Sequence, residues 1–104
     1  MEVSKQDWKL FQDRIGEWQE SYIEKLNDEY IEILTTEGKA SEKFWTLEKR
    51  IKEDKKHIGV LIELRKQNVP FDIVSLIKDD VIGFEDLEGF SDELQGTVRY
   101  MLDK

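Results

Sequence analysis

Apolar residues recur three and four positions apart over two long stretches, Trp8 to Leu34 and Phe44 to Leu64, divided by a short break at Gly38. In the first stretch Trp8, Phe11, Ile15, Trp18 and Tyr22 fall on one helical stripe, which continues through Ile23, Leu26, Tyr30, Ile33 and Leu34. The steps Trp18–Tyr22–Leu26–Tyr30 are all of four residues, so the stripe drifts around the helix instead of keeping a heptad seam. That suits a globular bundle better than a regular coiled coil. Ser4 stands in a capping position with the acidic Asp7 three residues on, which predicts a first helix over 4–37. Gly16 inside it costs about 1 kcal/mol against Ala, and close packing of another element is the usual compensation.

Gly38 suits a left-handed residue just past the end of that helix, and Ser41 can cap a second helix over 42–66. Its apolar positions are Phe44, Leu47, Ile51, Ile58 and Leu61, with Asp54 where an apolar residue is due. The polar run Glu53 to His57 and Gly59 mark this stretch as the place for a kink near 57–59 or a break in the helix. Turning the chain at Gly38-Lys39 sets Ile33 against Phe44, Tyr30 against Leu47, Leu26 against Ile51, Tyr22 or Ile23 against Asp54, and Ile15 against Ile62. The apolar partners match along the whole length, as in an antiparallel pair joined by a short loop. Asn68-Val69-Pro70 ends the second helix and opens a third over 70–79, apolar over most of its girth. A short helix follows at 85–89, and Ser91 caps a last one over 92–103. The pattern therefore predicts one all-α domain, 1–104: a long antiparallel helical hairpin with two or three short C-terminal helices packed against one end.

Two polar residues stand out on the seam of that hairpin. Asp54 is either a surface residue beside a kink or a buried acceptor for Tyr22 or for a cation such as Arg50. Arg65 falls near Phe11, in range of a cation–π contact. The stripe Trp8, Phe11, Ile15, Trp18 and Tyr22 is wider than a two-helix hairpin can cover, and short helices at one end leave the other end open. These five residues are therefore expected to anchor a partner.

Composition narrows the functional classes. The chain carries 16 Lys and Arg against 24 Asp and Glu, a net charge of −8, which opposes binding to nucleic acid or an anionic membrane. Residues 41–66 hold eight cations against five carboxylates, so the second helix is a basic strut between acidic neighbours. With no Cys there is no disulfide, thiolate or Cys-based metal chemistry. The first residues have neither a basic nor an apolar region of a signal peptide, and no apolar run approaches the ~20 residues of a membrane span, so the cytoplasm is the expected location.

Candidate chemistry is sparse. The single His57 sits beside Lys55 and Lys56, a poor setting for a metal ligand. Asp79 to Asp86 is acidic, but Val81 and Gly83, or Ile82, occupy positions where a calcium loop needs oxygen ligands. Ser75-Leu76-Ile77-Lys78 matches a Ser-x-x-Lys nucleophile motif without its companion motifs. A helix-turn-helix reading of Phe71 to Gly89 would aim Glu85, Asp86 and Glu88 at phosphates. No enzyme, cofactor, metal or small-molecule substrate is expected. The segments Ala40-Ser41-Glu42-Lys43-Phe44-Trp45, Lys49 to Lys56, and Ile77 to Ile82 through Phe90-Ser91-Asp92-Glu93-Leu94 resemble a family of small uncharacterised proteins of low-GC Gram-positive bacteria. Some of these carry a multidrug-transporter label, which a chain without a membrane span does not support. The resemblance implies a bacterial cytosolic protein and brings no site residues with it. The expected role is a small interaction or regulatory protein acting through its aromatic helix face on a protein partner or on itself as a homodimer. The alternative is an acidic, antitoxin-like inhibitor that mimics nucleic acid in a basic site.

Overall fold

In a computed structural model that describes residues 2–104, the chain is all-α. Helix α1 is Lys5–Thr35, α2 is Ala40–Asp54, α3 is Val69–Lys78 and α4 is Asp92–Leu102, with short 3-10 turns at Lys66–Asn68 and Phe84–Leu87. Ser4 caps α1 as its sequence position requires, its hydroxyl accepting the Asp7 N–H at 3.1 Å. The helix ends at Thr35 because Thr35 and Thr36 turn their hydroxyls back onto the carbonyls of Ile31 and Glu32. Gly38, at φ +149, then makes the reversal. Helix α2 starts earlier than predicted: Lys39 is its N-cap residue without a side-chain bond, so Ser41 lies inside the helix and caps nothing.

Helix α2 does not run to residue 66. It stops at Asp54, and residues 55–60 form tight turns in which Lys56 and His57 donate to the carbonyls of Glu53 and Asp54. Two contacts with α1 end it. The Gln19 amide donates to the Ile58 carbonyl at 3.1 Å, taking the acceptor that a continuing helix would use for itself. Gly59 lies so close to Tyr22 that a Cβ there would stand 2.5 Å from its ring. The chain then runs extended from Leu61 to Arg65 into α3. Arg65 is therefore not on a helical seam. It is exposed and bonded to Glu63, away from the expected contact with Phe11.

The core sits at one end. Phe11 and Ile15 of α1 pack with Val69, Ile73, Val74 and Leu76 of α3, Leu94 and Val98 of α4, and Ile82, Leu87 and Phe90 from the connections. This base is fastened by Asp7, which is 3% exposed. Its two carboxylate oxygens accept the Ser91 N–H at 2.9 Å and the Ser91 hydroxyl at 2.5 Å, while the same hydroxyl caps α4 by accepting the Leu94 N–H at 3.1 Å. The rest of α1 and all of α2 leave the base as an arm. The radius of gyration is 16.6 Å, against about 13 Å for a compact chain of this length, and the longest dimension is 52 Å.

Candidate interaction surface

The arm is held by polar contacts at its root. Tyr30 donates its hydroxyl to Asp54 at 2.6 Å, and Arg50 bridges Asp54 at 3.4 Å and Glu29 at 3.2 Å. Asp54 is 8% exposed, so it is the buried acceptor, for Arg50 as expected, and for Tyr30 in place of Tyr22. Side chains on a helix lean towards its N-terminus. In an antiparallel pair Tyr30 leans towards the base and Asp54 towards the tip, and the two meet about two turns from where position alone would pair them. Burial, and then the bond to Asp54, push the Tyr30 phenol up to about 12.

Above that root the arm has almost no interior. Between residues 20 and 54 the buried side chains are Leu26 and Asp54 alone. Ile31 is 56% exposed, Leu34 47%, Phe44 61% and Trp45 64%. Phe44, Leu47 and Ile51 recur at helical spacing and line an open groove with Glu48 at its edge. At 100° per residue, Ile23 and Leu34 of α1 lie on the same side of the hairpin as that groove, and the Glu29–Arg50 bridge lies on the other. Phe44 and Trp45 stack edge to face at 4.9 Å between ring centres, in solvent instead of in a core.

The five residues expected to anchor a partner are placed elsewhere. Phe11 and Ile15 are sealed in the base, at 0% and 4% exposure. Trp8 and Trp18 pack on the edge of the same core, Trp18 meeting Phe11 at 6.1 Å and Phe90 at 6.3 Å. Tyr22 is half-buried against Gly59. The C-terminal helices and their connections cover this part of the stripe, so the uncovered apolar surface of the α1–α2 pair lies at the arm, while Leu61, Leu64, Phe71 and Tyr100 are exposed singly on the connection and the base. Gly16, in turn, has no other element near it. The adjacent Phe44 and Trp45 were the signal in the sequence, since residues 100° apart on one helix cannot both face the same neighbour.

Titratable groups elsewhere offer little chemistry. One carboxyl oxygen of the half-buried Asp72 is sealed without a hydrogen-bond partner among the described residues, and burial pushes this carboxyl up to about 6. Among the described residues no group of three or more His, Asp and Glu converges to hold a metal. No helix among them is long and apolar enough to cross a membrane. An acidic groove at the base gathers Glu17, Glu85, Asp86 and Glu88 around Arg14, whose guanidinium donates to the Asp86 carbonyl at 3.0 Å. In comparisons with known proteins, no family model, no curated protein and no solved structure matches this chain.

Proposed function

We propose that this chain is a protein-docking module: a closed helical base that holds out an arm whose apolar side binds another protein surface. One observation carries the reading. The arm exposes Ile31, Leu34, Phe44 and Trp45 while burying a single apolar residue, Leu26. A hairpin of two helices gains its stability from apolar burial, and this one leaves most of that burial unmade. Exposed aromatic and aliphatic side chains clustered beside a polar root are the composition of an interface core. Chemistry is not needed for this role.

The test is a photo-crosslinking residue placed at Phe44 in cells that make the protein naturally, with a control at Glu93 on the base. A discrete adduct from position 44, absent from position 93 and lost when Leu47→Glu is added, supports docking through the arm. No adduct from position 44 overturns it.

The acidic groove favours a second reading, in which Glu17, Glu85, Asp86 and Glu88 occupy a basic site on a partner in place of nucleic acid. Salt separates the two: binding through the groove weakens steeply with ionic strength, and binding through the arm does not.

A further inference from the structure

We infer that the occupant of the arm is a second copy of this chain, laid side against side so that α1 of each copy crosses onto α2 of the other and the two hairpins close a four-helix bundle. This rests on the reading of the arm as a docking surface and names its partner. Three features of the arm point to a copy of itself.

The first is shape. The exposed side is two antiparallel helices wide, with Ile23, Ile31 and Leu34 on α1 and Phe44, Leu47 and Ile51 on α2. A single helix would fill its central groove and leave both flanks open. Another pair of helices covers it fully, as in bundles whose neighbours are all antiparallel. Helix α2 spans about 22 Å and two helices side by side roughly 20 Å, a footprint of about 440 Å² per copy and about 880 Å² on two, which marks a small and weak interface rather than a large obligate one.

The second is access. Leu10 and Arg14 approach Gly89, and Arg14 and Trp18 lie against Phe90, so part of the base packs on one flank of α1. Helical spacing sets Ile23 and Leu34 away from Leu10 and Arg14, and about 80–100° from Ile15 in the core. A second arm can therefore lie along the first, tip beside tip, on the flank away from Leu10 and Arg14.

The third is charge. Residues 20–35 carry five carboxylates and one lysine, whereas α2 balances four cations against four carboxylates and continues into Lys55 and Lys56. A two-fold axis across the arms would stack acidic α1 on acidic α1. An axis along the arms stacks α1 on α2 of the other copy, and then Glu20 and Glu24 border Lys52 and Lys55 of that copy. All four residues are exposed, and none forms an ion pair among the described residues. Such rim charges select orientation more than affinity.

Sedimentation equilibrium of the purified full chain tests this. Two copies per particle are expected. Leu47→Glu, which puts a carboxylate into the buried centre, is expected to leave monomers with unchanged helix content. Lys52→Glu with Lys55→Glu is expected to raise the dissociation constant about tenfold, and adding Glu20→Lys with Glu24→Lys to restore it. A purified chain that stays monomeric overturns the second copy, while a Phe44 adduct with a different protein would leave the docking arm standing. A dimer that withstands Leu47→Glu places the contact elsewhere and overturns the inference. A dimer that the charge reversal weakens but the compensating reversal does not restore overturns the crossed arrangement of α1 on α2.

Discussion

The base and the arm are built from the same amphipathic helix yet end in opposite states. Along residues 5–18, α1 is wrapped by α3, α4 and their connections, and Phe11, Ile73, Leu76, Leu87, Leu94 and Val98 lose all contact with water. Beyond residue 20 the same helix has one neighbour, and Leu26 is the one apolar side chain enclosed. Apolar periodicity is equal in the two regions. What differs is the number of elements available to cover the stripe. An amphipathic face thus predicts that something will cover it, and the number of remaining elements decides whether this chain supplies the cover.

Substitutions at the two ends should separate along that line. Phe11→Ala opens a cavity in the closed base and is expected to cost about 3–5 kcal/mol, a large part of the roughly 5–15 kcal/mol available to a domain, read as a collapse of the urea midpoint. Asp7→Ala removes the acceptor of both Ser91 donors and is expected to cost about 2–3 kcal/mol, with amides of α4 exchanging faster than those of α2. Equal acceleration in α2 would mean that base and arm unfold as one unit. Tyr30→Phe leaves Asp54 with Arg50 alone and is expected to cost about 1–2 kcal/mol, with exchange rising in the arm and not in the base.

The smallest effect is one of pH. The Asp72 carboxyl lies at about 6 in the folded chain, above its ordinary 3.8. Its contribution to stability is therefore fully present below the ordinary value and is lost as pH rises through about 6. Asp72→Asn is expected to raise the melting temperature at about pH 8, with the gain vanishing towards about pH 4. A gain independent of pH would remove burial of the charge as its cause.

Local signals carried much of the fold. Ser4 and Ser91 cap the helices they were expected to cap, and Pro70 lies in the first turn of α3. The end of α2 was legible only in part: the polar run from Glu53 and Gly59 marked a kink or break, but what fixes Ile58 and Gly59 is Gln19 and Tyr22, some forty residues earlier. Periodicity alone carried the helix on to Lys66. Asp7 read as a first-turn acid, and its attachment to Ser91 belongs to a contact that no local pattern records. The stripe from Trp8 to Tyr22 read as surplus surface because α3 and α4 are short. Much of the missing cover comes from Ile82 and Phe90, in connections that a helix count leaves out, and from Leu87 in the short turn between them.

The bond between Asp7 and Ser91 joins residues 84 positions apart in the chain. Synthesis runs from the N-terminus, so Phe11 and Ile15 emerge long before the segment that will enclose them. The arm, with its neighbouring helices, can pair early from local contacts, while the base waits for α4 to be made. Until α4 is in place, Phe11 and Ile15 stay uncovered, the state most exposed to chaperones and proteases.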